Sequence, residues 1–208
     1  MKRVPFIALA LASFGLMSLA HANSDTAQAL IAQTQGDLDG DGIAEYVEVR
    51  NTRTQASDGM GLQRELLVFK TKQGKKILWQ RSDTAVYPSN GGGMMGDPFG
   101  DISIKKGSLF LSQSGGSSWK WGFTDQYRYQ NGRFELIGYQ SSAGRICDYW
   151  ESVDANLSTG KINYSKIFDR DKECDNAENR RLRHARRAHL QGQALSQRTA
   201  ARDFRLGR

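Results

Sequence analysis

Residues 36–45 read Gly-Asp-Leu-Asp-Gly-Asp-Gly-Ile-Ala-Glu, the densest coordination chemistry in the 208-residue chain. Asp37, Asp39 and Asp41 stand at the first, third and fifth positions of a loop. Gly42 takes the sixth position, where the chain must turn sharply, and Ile43 at the seventh offers its backbone carbonyl. Alternating carboxylates on a tight loop supply the oxygens that Ca2+ requires, about six to eight of them at roughly 2.3–2.6 Å. Mg2+ suits the pattern less well, because it demands a rigid octahedron and keeps its water. Carboxylates this close repel one another until a cation neutralises them, so an ion here would order the N-terminal edge of the fold. The competing reading is a solvated Asx turn ahead of a strand.

Two carboxylates compete to close the loop. Glu48 lies at the twelfth position, where an EF-hand places its bidentate Glu, and Glu45 lies at the ninth. An EF-hand needs a helix after its loop, yet Tyr46-Val47-Glu48-Val49 alternates as a strand does. In a strand, Glu45 shares a face with Val47 and Val49, while Glu48 turns away; Glu45 is therefore the expected fifth ligand beside Asp37, Asp39, Asp41 and Ile43. This loop-then-strand form resembles the calcium loops of FG-GAP/VCBS-type repeats, found in integrin-like propellers and in exported bacterial proteins. The likeness covers residues 36–47 in a single copy, so it implies a calcium loop and not a propeller. More loosely, Gly96–Phe99 (GDPF), Gly115–Trp121 (GGSSWKW) and Arg133–Tyr139 (RFELIGY) look like a family of exported bacterial proteins without a known activity.

Other reactive residue types are sparse. Beyond residue 22 the only histidines are His184 and His189, five apart and so not an i, i+4 metal pair. No nucleophile elbow, Cys–His pairing or cofactor fingerprint is present. Asp97 and Asp101 lie at the C-terminal end of a Gly-rich stretch, Tyr87–Asp101, and either form a carboxylate pair or cap turns, the second reading being favoured. A two-carboxylate hydrolase is thus the weakest expectation, and a binding role outranks catalysis.

The elements that must position these residues read as antiparallel β. Period-2 or short apolar runs occur at 45–50, 65–69, 76–80, 101–105, 108–112, 118–130, 133–139 and 162–168. Asn131-Gly132 suits a type I′ hairpin turn. That turn sets Gln130 opposite Arg133, Tyr129 opposite Phe134, Arg128 opposite Glu135 and Tyr127 opposite Leu136. Lys106-Gly107 and Gln73-Gly74 mark two further hairpins. Trp119, Trp121 and Phe123 share parity with Tyr127 and Tyr129, which makes an aromatic face. A buried core face is the leading reading of that row, and an exposed strip for glycan or peptide docking the sharper one. Helix is expected only near 26–33 and in the C-terminal tail. The fold class is accordingly all-β, with antiparallel sheets forming a sandwich or half-barrel and a basic, partly helical tail.

Address and charge complete the picture. Lys2 and Arg3, an apolar run from Val4 to Leu19 and Ala20-His21-Ala22 have the layout of a secretory signal peptide cleaved after residue 22. A bacterial periplasmic or secreted protein is expected, with no transmembrane segment in the mature chain. In an oxidising compartment the lone pair Cys147 and Cys174 is expected to form a disulfide, worth roughly 3–4 kcal/mol by loop closure; free thiols are the alternative. The β-domain should span 23–176. Residues 177–208 hold nine Arg against Glu178 and Asp203, net +7, so the basic character belongs to a tail on a nearly neutral body. That tail reads as a solvated helix with a loose end, or as a grip on an anionic surface. Nucleic acid fits poorly, since no aromatic interleaves the Arg cluster. The function expected is a calcium-binding β-domain that binds a protein or envelope component, with Asp97, Asp101, Trp119 and Trp121 as possible ligand contacts. The alternative is an inhibitor or immunity-type protein acting on an exported toxin or cell-wall enzyme.

Overall fold

The computed structural model describes residues 29–169. The expected signal peptide, the Arg-rich tail and Cys174 lie outside them. Ten strands run in order: β1 (Leu30–Gly36), β2 (Glu45–Gln55), β3 (Leu62–Lys72), β4 (Lys75–Ser82), β5 (Phe99–Lys105), β6 (Ser108–Gly116), β7 (Lys120–Gln130), β8 (Arg133–Gly144), β9 (Tyr149–Asn156) and β10 (Lys161–Phe168). They form two antiparallel meanders, a four-stranded sheet β1-β2-β3-β4 and a six-stranded sheet β10-β9-β8-β7-β6-β5. Among the described residues no helix is long and apolar enough to cross a membrane.

The alternation that marks each strand is what builds the core. Val47 and Val49 of β2 and Leu66 and Val68 of β3 face Ile102, Leu109, Leu111, Tyr127 and Phe134 of the other sheet, and all are buried. Leu38, Ala85 and Val86 close the ends from the loops. Each such aliphatic side chain contributes about 1.5–3 kcal/mol by leaving water. The sheets meet along one side where β1 runs beside β5. Gly36 makes that approach possible, since a Cβ there would lie 2.7 Å from Ile104 Cγ2.

The turns carry the register. Asn131 and Gly132 have φ of 53° and 79°, as a type I′ turn requires, and the pairs from Gln130↔Arg133 to Tyr127↔Leu136 follow from it. Lys106-Gly107 and Gln73-Gly74 turn in the same way. Three features depart from the sequence reading. Leu30–Gln33 is not helical but the start of β1, because its backbone pairs with β2 from Leu30↔Arg50 to Gly36↔Glu45. Helix propensity is a weak preference that a sheet edge overrides. β9 was not expected at all, its apolar residues being too irregular to show a period. A bulge between Gln126 and Tyr127 shifts β8 by one residue beyond the predicted hairpin.

Candidate functional site

The acidic loop is the connection between β1 and β2, closed at its base by the pair Gly36↔Glu45. Asp37 folds back on it, Oδ1 accepting from Gly40 N at 2.7 Å and Oδ2 from Gly42 N at 3.0 Å. Gly40 and Gly42 both have φ of 81°, a conformation a side chain would strain. Glu45 lies beneath the loop, 1% exposed, with Oε2 accepting from Leu38 N at 2.8 Å. Carboxylate oxygens of Asp37, Asp39 and Glu45 then lie within 4.8 Å of one another, the one such group among the described residues. Each carboxylate oxygen has lone pairs beyond the one given to an N–H, so donor capacity remains.

The remaining expected ligands are placed differently. Asp41 Oδ1 accepts from Ile43 N at 2.7 Å, an Asx turn, and Asp41 stays outside the three-carboxylate group. The Ile43 side chain is exposed. Glu48 is buried on the other side of β2, bonded to Arg50 Nε at 2.8 Å and Lys76 Nζ at 3.1 Å. Burial opposes its ionisation, but those two cations prevail and hold its pKa below the ordinary carboxylate value.

A cation already stands at the cluster. Lys70 of β3 bonds Asp39 Oδ2 and rests 4.1 Å above the Trp79 ring. Burial alone would lower the Lys70 pKa; the hydrogen bond to Asp39, with the charges of Asp39, Glu45 and Asp41, raises it instead. Glu45 is raised chiefly by burial, with the charges of Asp39 and Asp41 adding to it against the Leu38 N–H and Lys70. The cluster is thus a desolvated excess of negative charge, partly answered by one ammonium.

The Gly-rich stretch forms the second candidate surface. Its anchor is Arg64, whose side chain is 2% exposed and whose Nη atoms each donate to Asp97 at 2.6 Å, while Nε donates to Asn51 Oδ1 at 3.0 Å. Asp97 also accepts from Phe99 N at 2.9 Å. Burial pushes the Asp97 pKa up, but Arg64 and Phe99 N outweigh it and hold the carboxyl below its ordinary value. Asp97 is therefore an ionised anchor rather than a proton donor, and Asp101 lies exposed on β5 across from Ser112.

The glycines here allow close contact between backbones. Gly116 N donates to Gly92 O at 2.8 Å, and a Cβ on Gly115 would lie 2.5 Å from Trp121 Cζ2 and 2.8 Å from Gly92 Cα. Gly115→Ala should destabilise the fold by about 1–3 kcal/mol, because two backbones must part. A urea melt of the variant checks this; no change in midpoint would mean the loop is not held there. The loop tip presents Met94, 87% exposed, and Met95, on a 3-10 turn at Gly93–Met95.

The aromatic row divides. Tyr127 is core, and its hydroxyl donates to the buried Asp125 at 3.0 Å. Trp121 and Phe123 are half-buried and stacked 5.9 Å apart, with Tyr87 meeting both edge-on at 5.7 Å. Trp119, just ahead of β7, packs edge-on against Tyr149 at 5.1 Å. A shallow cavity of about 560 Å3 crosses β6–β10 around Phe123, Val153 and Tyr164. Cys147 sits in the β8–β9 turn with φ of 65°, its N–H donating to Asp169 Oδ2 at 3.0 Å. Lys70, Arg64 and Asp125 went unread in the sequence, since nothing local marks a charged residue inside a strand as inward-facing.

No protein-family model matches the chain, and no curated protein matches it either.

Proposed function

We propose that the chain is an exported, calcium-stabilised β-domain that binds a protein or envelope component in the bacterial periplasm or outside the cell. The observation that carries the binding reading is the Gly-rich loop, which an ion pair from Asp97 to the buried Arg64 anchors while Met94 and Met95 point into solvent. Methionine offers adaptable apolar contact, and an anchored loop lowers the backbone ordering cost of binding. The half-buried Trp121–Phe123 surface is the second contact region. Calcium at Asp37, Asp39 and Glu45 would serve the fold rather than the partner, because the cluster ties β1 and β2 together at their shared turn. A Cys147–Cys174 disulfide belongs to the same reading; on the described side Asp169 N donates to Asp148 O at 3.0 Å, beside Cys147.

An inhibitor or immunity-type role is the second reading, favoured by the same protruding tip, which suits insertion into a cleft. Affinity capture from periplasmic extract tests both. The wild-type chain should retain one protein in stoichiometric amount, and Met94→Asp should lose it by roughly tenfold or more in affinity with an unchanged melting temperature. If the captured protein is an enzyme that the chain silences, the inhibitor reading stands. Equal retention by Met94→Asp, or no retained protein, removes the loop as the binding surface.

A further inference from the structure

The outer edge of β10 is unpaired among the described residues, and of the devices that usually guard an edge it carries two lysines, Lys161 and Lys166, with neither a Pro nor a bulge. β1 and β5 run beside one another. β4 is interrupted by a register shift against β3 and carries Lys75, Lys76 and Arg81. β10 pairs with β9 without a shift from Lys161↔Asn156 to Phe168↔Tyr149, contains no Pro, and has all eight residues exposed. Ile162 is 63% and Ile167 68% exposed, with Tyr164 and Phe168 beside them.

We propose that β10 is a self-association edge, pairing antiparallel with β10 of a second copy of this chain about Ser165. The register follows from backbone direction. Asp169 N donates to Asp148 O, and Arg145 N to Tyr149 O, so alternate residues of β9 face β8 and β10. On β10 the groups of Lys161, Asn163, Ser165 and Ile167 are then spent on β9, and those of Ile162, Tyr164, Lys166 and Phe168 point outward. An antiparallel partner must set outward residues against outward residues. Centring the two-fold axis on Ser165 pairs Ile162 with Phe168 of the second copy and Tyr164 with its Lys166, so every outward residue finds a mate. One pair is apolar and the other sets an ammonium beside an aromatic ring. Lys161 comes opposite the acidic Asp169. Centring on Lys166 would oppose two ammonium groups, and centring on Tyr164 would leave Phe168 facing Gly160. The pairing joins two six-stranded sheets into one and keeps their inner faces on the same side.

Sedimentation equilibrium of the purified full chain, with crosslinking of cysteine variants under mild oxidation, tests this. A dimer mass is expected. Ser165→Cys should give a covalent dimer, because the two residues face each other at a non-hydrogen-bonded pair about 4.5 Å apart. Asn163→Cys should not, since its mate is Ile167, and the unsubstituted chain should give none. Tyr164→Pro removes an outward N–H and leaves the β9–β10 ladder bonds in place, at the cost of the exposed Tyr164–Glu151 hydrogen bond, and should weaken the dimer by on the order of 100-fold, whereas Tyr164→Ala, which loses the same side-chain bond but keeps the N–H, should weaken it far less. A monomer mass at about 100 μM, a range that would reveal even weak pairing, overturns the proposal. Equal crosslinking at residues 163 and 165 overturns it too. If Tyr164→Pro does not fold, the crosslinking contrast still decides.

Discussion

Asp97→Ala should lower the unfolding free energy by about 2 kcal/mol, and by more than Arg64→Met does. Arg64 is the largest fully buried side chain among the described residues, and its guanidinium gives two bonds to Asp97 and one to Asn51. Removing Asp97 leaves a buried charge with only an amide to answer it. Breaking a fully buried pair costs roughly 3–5 kcal/mol, but the Asp97 side chain is 51% exposed, so water reaches the vacated position and reduces the penalty. Arg64→Met removes the buried charge itself and leaves Asp97 where water can solvate it, a cost of about 1 kcal/mol. Urea denaturation of both variants checks the order. If Arg64→Met is the more damaging, packing of the long side chain outweighs the ion pair.

The same pair sets a pH signature. The folded-state pKa of Asp97 lies below its unfolded value of about 3.9, because Arg64 prevails over burial. A depressed carboxylate stabilises fully above the unfolded pKa and loses that contribution as pH falls through the folded one. Wild type and Asp97→Ala should therefore keep a constant difference from pH 7 down to about 5 and converge below pH 4. A difference that shrinks at neutral pH would assign the effect to another group.

Lys70→Met should raise calcium affinity by roughly 10- to 100-fold while lowering stability in chelator. Lys70 sits on Asp39, one of three converging carboxylates, and a divalent cation among them must displace that ammonium or endure it. At 4 Å and an effective dielectric near 20, a unit pair already interacts by about 4 kcal/mol, and the divalent charge doubles this. The lysine relieves most of the repulsion by swinging into water, since its side chain is 32% exposed, which leaves the modest factor stated. Without calcium, Lys70→Met removes the ammonium bonded to Asp39 and lets the carboxylates repel. Calorimetric titration and thermal melts, with Asp39→Ala as the null, read both effects. Saturation at 100 times Kd should raise stability by about 2.7 kcal/mol. No heat of binding in wild type or Lys70→Met, with equal destabilisation in chelator and calcium, would leave an ion-paired turn and end the calcium reading.

The residues that could hold an ion were legible because they are contiguous: three Asp at alternate positions, a Gly at the sixth, and a strand that sets Glu45 and Glu48 on opposite faces. Lys70 was not. Its place follows from the β2–β3 register, Tyr46↔Phe69 and Val47↔Val68, which sets it across from Glu45. A register irregularity between Asn51 and Gln55 separates that pairing from the turn, so counting back from the hairpin loop lands on the wrong residue. Arg64 was hidden for the same reason, and Asp97, its partner 33 residues on, is joined to it only through the fold.

By itself, the sequence determined what is local: the β periodicity, the turns at Asn131-Gly132 and Lys106-Gly107 with the pairs they enforce, and the spacing of the acidic loop. These depend on backbone preferences and on neighbours a few residues apart. Only the tertiary structure decided that Leu30 begins a strand, that Asp97 is an anchor, that the aromatic row is part core and part surface, and that β10 is an edge strand among the described residues. Each of these depends on which distant chain segment covers a residue, and burial sets the cost of a charge or the freedom of an edge only once that neighbour is in place.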